Sequence, residues 1–123
     1  MDYQDTATGP SFNPNIKPKS SKLGEFRNNV SHSAKHGLRI YKGHTPPVRA
    51  VYEDHLSYKC TSIGIRVESI GLHTFRNITV ASNVLHGLAI RKSANEGYSV
   101  DGAIMVGSSQ LLGGSTGYGM IGP

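Results

Sequence analysis

From Leu23 onward, apolar and polar residues recur in a block that repeats along the chain, not in the three-to-four-residue period of an amphipathic helix. Three segments superpose. Phe26-Arg-Asn-Asn-Val30 leads to His36-Gly-Leu-Arg-Ile40, Tyr52-Glu-Asp-His-Leu56 to Ile63-Gly-Ile-Arg-Val67, and Phe75-Arg-Asn-Ile-Thr79 to His86-Gly-Leu-Ala-Ile90. Tyr52 to Phe75 and Gly64 to Gly87 are both 23 residues, whereas Phe26 to Tyr52 is 26 and Gly37 to Gly64 is 27, so the earliest repeat needs one inserted residue. A further 23 residues from Phe75 reaches Tyr98, after which the match frays. Ala103-Ile-Met-Val106 still reads as a buried strand, and the tail is rich in Gly.

Within each repeat a Gly is followed by apolar, polar, apolar. Alternation of period two puts Leu38/Ile40, Ile65/Val67 and Leu88/Ile90 inside and Arg39, Arg66 and Ala89 outside. The glycines suit a turn into that strand, where positive φ or close approach of a neighbouring backbone excludes a Cβ. A repeat of this length signals a solenoid, in which each unit buries its inner face against its neighbours. The Leu ladder with Asn at fixed offsets that a leucine-rich repeat requires is absent. The expected fold is therefore all-β, a right-handed parallel β-helix segment of about four coils, with the handedness taken from the general rule for parallel crossovers. Phe26, Tyr52, Phe75 and Tyr98 are expected to stack as an aromatic ladder.

Residues 1–22 contain Pro10, Pro14 and Pro18 among small polar residues, with Phe12 and Ile16 as the main apolar anchors, and read as an extended arm or inter-coil loop. Residues 23–123 carry the coils. No amphipathic capping helix is evident at either end, so the open strand edges predict further coils, or another protein, stacked upon them.

Composition agrees with strands and turns: 15 Gly, no Trp, 37% hydrophobic and 17% charged residues. The net charge of +5 comes from scattered Lys and Arg, which describes a solvated basic surface. The few aromatics fall mostly at repeat positions, which argues against stacking platforms for nucleic acid. Cys60 is alone, which leaves no disulfide framework, and its place among strands suits a buried structural thiol. Met1 is followed by Asp2-Tyr3-Gln4-Asp5, without the basic start and apolar core of a signal peptide, and no run is long enough to insert into a bilayer.

Three stretches carry a resemblance. Phe26-Arg-Asn-Asn-Val-Ser-His-Ser33 with His36-Gly-Leu-Arg-Ile40, Gly71-Leu-His-Thr-Phe-Arg-Asn-Ile-Thr-Val-Ala-Ser-Asn83, and Gly117-Tyr-Gly-Met-Ile-Gly-Pro123 resemble the parallel β-helix region of the fibrocystin-like proteins. That group includes hyaluronan-processing surface proteins in which a G8 domain accompanies β-helix repeats. The resemblance implies a segment of a large extracellular or ciliary surface glycoprotein. It carries over no catalytic residue, because no matching catalytic motif is present.

Candidate chemistry is sparse. Asn29-Val-Ser31 and Asn77-Ile-Thr79 both satisfy the N-glycosylation sequon, although Asn28, Asn29, Asn77 and Asn83 also suit turns or amide ladders between coils. His36 and His86 share a repeat position with Ile63 between them, too far apart to hold one ion, and no metal or cofactor is expected. The repeat-region acids Glu25, Glu53, Asp54, Glu68, Glu96 and Asp101 form no evident pair across a glycosidic bond, nor a cluster joining Arg39 and Arg66. Arg39 and Arg66, with Arg91 and Lys92 nearby, form a basic stripe suited to solubility or to an acidic glycan. The resulting expectation is a non-enzymatic structural or interaction segment, with an acidic-glycan-binding or polysaccharide-cleaving β-helix as the alternative.

Overall fold

The computed structural model describes residues 15, 17–91, 97–107 and 118–121. Within them the fold is all-β, with a single three-residue 3₁₀ turn at Pro18–Ser20 and nine strands. The strands are β1 (Val30–His32), β2 (His36–Ile40), β3 (Ala50–Glu53), β4 (Leu56–Tyr58), β5 (Ile63–Val67), β6 (His73–Ala81), β7 (His86–Ile90), β8 (Tyr98–Val106) and β9 (Tyr118–Ile121). They form two parallel sheets. One runs β2-β5-β7-β9; in the other, β6 pairs with β3 and β4 along one edge and β8 along the opposite edge, and β1 adds to β4. Most of the N-terminal arm lies outside the described residues. The part that is described docks on the body, where Thr45 donates its backbone N–H to the Lys19 carbonyl at 2.8 Å.

Register follows the sequence repeat over its first three blocks. Leu38 pairs with Ile65 and Ile65 with Leu88, while Ile40, Val67 and Ile90 form the next column. All six are buried and face Tyr52, Phe75, Ile78 and Val80 of the other sheet. Each aliphatic side chain so buried contributes roughly 1.5–3 kcal/mol. Tyr52 stacks on Phe75 with centroids 5.1 Å apart, and Phe26 meets Tyr52 edge-on at 5.2 Å.

The fourth aromatic departs from expectation. β8 pairs with β6 at a spacing of 25 residues, not 23, so Tyr98 lies beside His73 and Val100 takes the place next to Phe75. The loop after β7 is longer by two residues, which preserves the alternation of faces but shifts the aromatic off its column. Tyr98 accordingly stacks on His73 at 5.5 Å. Ala103–Val106 is a strand, as expected, yet it is not buried: Ile104 is 62% and Val106 49% exposed. Among the described residues β8 pairs only with β6, which leaves its far edge open. Ala89, expected outside, is fully buried, because its methyl is short enough to be covered between flanking strands.

Two corners recur, the first in four blocks and the second in three. Asn28, Asp54, Asn77 and Gly102 each follow a registered rung, Arg27–Glu53–Arg76–Asp101, and all have positive φ between 50° and 68°. Asn, Asp and Gly are the residues that enter this left-handed region at least cost. Ser33, Lys59 and Ser82 repeat the device after His32, Tyr58 and Ala81. The outward rung before the first corner alternates in sign. Arg27 contacts Glu53 at 3.1 Å, and Arg76 lies 3.8 Å from Glu53 and 3.7 Å from Asp101.

The repeat glycines lie within β2, β5 and β7 and not at a turn. Gly37 and Gly64 are required by close approach, not by positive φ. A Cβ on Gly37 would stand 2.0 Å from Ser57 Oγ and 2.7 Å from the Gly64 carbonyl; one on Gly64 would stand 2.6 Å from the Gly87 carbonyl. Since backbone cannot yield as a side chain can, Gly64→Ala is expected to destabilise by about 1–3 kcal/mol. Gly24→Ala, which meets nothing within 4 Å, serves as the control and should leave the denaturation midpoint almost unchanged. Equal midpoints for the two variants would refute the close-approach account.

Candidate functional site

Parallel pairing of β2 with β5 places Arg39 directly beside Arg66, as the repeat predicts. Two guanidiniums at strand spacing repel, and the structure resolves the conflict with a carboxylate that the sequence reading did not connect to them. Glu68, just past β5, accepts from Arg39 Nε at 3.3 Å and Nη2 at 3.1 Å through one oxygen. Through the other it accepts from Arg66 Nε at 3.0 Å and also from Arg66 Nη2. Burial alone would raise the Glu68 pKa, but hydrogen bonds and charge from Arg66 and Arg39 outweigh it and hold the carboxyl below its ordinary value. An acid therefore does join the arginine stripe. The readable signal was parity: Glu68 lies two residues beyond Arg66 and so leaves the strand on the same side.

Beyond this fork lies a cleft of about 380 Å³ lined by Arg39, Tyr41, Lys42, Glu68 and Arg91. Arg39 sits 4.7 Å over the Tyr41 ring, and the Lys42 ammonium is 5.8 Å from it. Three cations against one carboxylate leave the cleft net positive. Of the predicted stripe, Arg39 and Arg91 line the cleft, Arg66 is turned to Glu68, and Lys92 lies outside the described residues. Tyr41 and Lys42 were missed, because they follow the strand where the repeat no longer constrains the chain.

Both sequon asparagines are exposed. Asn29 donates its side-chain amide to the Arg27 carbonyl at 3.0 Å, whereas Asn77 occupies a left-handed corner. They are not equivalent: the counterpart of Asn77 is Asn28. Asn83 is buried and bridges neighbouring segments, accepting from Cys60 N–H at 3.0 Å and donating to the Ser57 carbonyl at 3.3 Å. Cys60 is fully buried beside it.

Comparison with family models, curated proteins and solved structures finds no match. The geometry of the chain itself therefore carries the functional argument.

A second polar group is buried at a place that no local sequence pattern marks. His73 is fully buried between Tyr52 and Tyr98, with the His44 ring 5.6 Å away. Its Nε2 is 3.1 Å from Ser69 Oγ and its Nδ1 is 3.4 Å from the Tyr52 hydroxyl. Ser69 Oγ donates to the His44 carbonyl and accepts from Gly71 N–H, and the Tyr98 hydroxyl donates to the Ser69 carbonyl. Burial, with added repulsion from His44 and Arg49, pushes the His73 pKa down to about 4. Burial likewise raises Tyr98 to about 12 and lowers His44 and His55.

A histidine whose pKa is depressed on folding contributes stability that is intact above its unfolded value and is lost as pH falls toward its folded value. For His73 the window runs from 6.5 down to about 4, a loss on the order of 3 kcal/mol. Urea denaturation at pH 7 and at pH 4.5 should show this drop. His73→Phe should reduce the dependence, with His44 and His55 still contributing to what remains, whatever it does to absolute stability; an unchanged slope would remove His73 as a source.

Proposed function

We propose that this chain is a segment of about four coils of a right-handed parallel β-helix, serving as a non-enzymatic structural and interaction element of a large extracellular or ciliary surface protein of the fibrocystin-like kind. The observation that supports this reading most directly is the shared parallel register. The columns Leu38–Ile65–Leu88 and Ile40–Val67–Ile90 align in one sheet while Tyr52–Phe75 and Leu56–Thr79 align in the other. A chain that crosses between two parallel sheets and returns one strand spacing further along builds coils, and right-handed crossovers are the general rule. Further coils, or another protein, would then cover the open ends.

Exposed sequons at Asn29 and Asn77 support a surface glycoprotein. Expressed behind a secretory leader, the chain should run as two glycoforms that collapse on glycosidase treatment, with one removed in Asn77→Gln. Secretion of a chain with no glycan at either position would sink the glycoprotein part of this reading.

A second reading is favoured by the cleft beside Arg39. Its cations suit an acidic glycan. Binding to heparin or hyaluronan should weaken with salt and fall about tenfold in Arg39→Ala/Arg91→Ala. It should strengthen in Glu68→Gln, which removes the competing carboxylate. Retention of full affinity by the double variant would discard this site.

A further inference from the structure

We propose that the chain associates with a second copy of itself head to tail, β8 of one copy receiving the Phe26–His32 edge of the next. This rests on the coil-stack reading and commits the open end to one occupant.

The tail end is built to continue. Phe75 is fully buried, yet Val100, its neighbour in the next strand, is 38% exposed, because among the described residues nothing pairs with the far edge of β8. The head end is open in the same sense: in the inner column Phe26–Tyr52–Phe75–Val100, Tyr52 and Phe75 are fully buried while Phe26, at its start, is only partly buried. Nine residues of unpaired strand edge are an invitation to another chain.

Charge identifies which chain. The outward rung reads Arg27, Glu53, Arg76, Asp101, so it begins with a cation and ends with an anion. The terminal side chains remain accessible, Arg27 at 53% and Asp101 at 74%. A second copy stacked in parallel sets its Arg27, which also pairs with Glu25 at 3.1 Å, against Asp101 and continues the alternation along the rung. The same register sets Phe26 against Val100, Asn28 against Gly102 and Val30 against Ile104. Aromatic then meets aliphatic on the inner face, and one left-handed corner meets another. An arbitrary partner would have to supply each of these features; a second copy carries all of them in its own first coil. The contact is heterologous, one surface meeting a different one, so it propagates into oligomers unless a ring closes.

Analytical ultracentrifugation of the full chain tests this. The sedimentation coefficient should rise with concentration. Asp101→Arg places like charges at both ends, as does Arg27→Glu, so each variant alone should associate about tenfold or more weakly. Mixed, the two present opposite charges at every junction and should assemble again, a rescue that misfolded chains could not give. A wild-type chain that stays monomeric as concentration rises overturns the proposal, as does undiminished assembly of Asp101→Arg. A Leu56→Cys/Thr79→Cys variant separates the coil stack from the association: an internal cross-link by a short bis-thiol reagent forms only if those rungs are neighbours. If it forms and the chain stays monomeric, head-to-tail association fails while the coil stack stands. If it does not form, the stack itself is wrong.

Discussion

Between parallel neighbouring strands, each residue lies about 4.8 Å from its counterpart one repeat later, so a column must hold side chains that tolerate one another at that distance. Aliphatic and aromatic side chains meet this condition by packing, which is why Leu38, Ile65 and Leu88 can stand in line. Charges do not meet it unaided. The Arg27 column alternates sign, and the Arg39 column, where two cations are adjacent, is relieved by Glu68 reaching across to both. Single exposed pairs of this kind contribute little stability, about 0–1 kcal/mol, and their importance lies in preventing repulsion between rungs.

The same spacing governs the turns. A corner that enters the left-handed region in one block must do so in the next, or the following strand leaves its register. Asn28, Asp54, Asn77 and Gly102 satisfy this at one corner. At the other, Lys59 sits between Ser33 and Ser82 and adopts the conformation its neighbours impose. Gly37 and Gly64 are the complementary case, where the backbone of the adjacent strand occupies the volume a Cβ would need.

Legibility in the sequence tracks these columns closely. Wherever a residue type is dictated by its counterpart, as in the Gly, aliphatic and first aromatic positions, superposing the repeats recovers the pairing. Where loop length changes, it does not: two extra residues before β8 moved Tyr98 from Phe75 to His73. Burial of Ala103–Val106 was misread because hydrophobic character reports what a strand could bury, not whether a neighbour is there to bury it. All-β architecture with parallel sheets was accessible from periodicity, and parity alone put Glu68 on the side of Arg66, while the His73 cluster was not accessible. It depends on side chains meeting across segments 21 or more residues apart and around a loop, for which no local pattern exists.

The two candidate interaction surfaces differ in what holds them. The cleft beside Arg39 is a by-product of column chemistry: Glu68 is already committed to two guanidiniums, and an anionic ligand competes with it for Arg39. At the β8 edge nothing has to be displaced. Each inner side chain in the middle of the stack is covered from both sides, whereas Val100 is covered from one, so a new strand there completes contacts that its neighbours already have. Association at that end adds backbone hydrogen bonds, apolar burial and the next charge of an alternating series in one step. The proposed edge contact would thus displace nothing, whereas a ligand in the cleft would have to compete with Glu68 for Arg39.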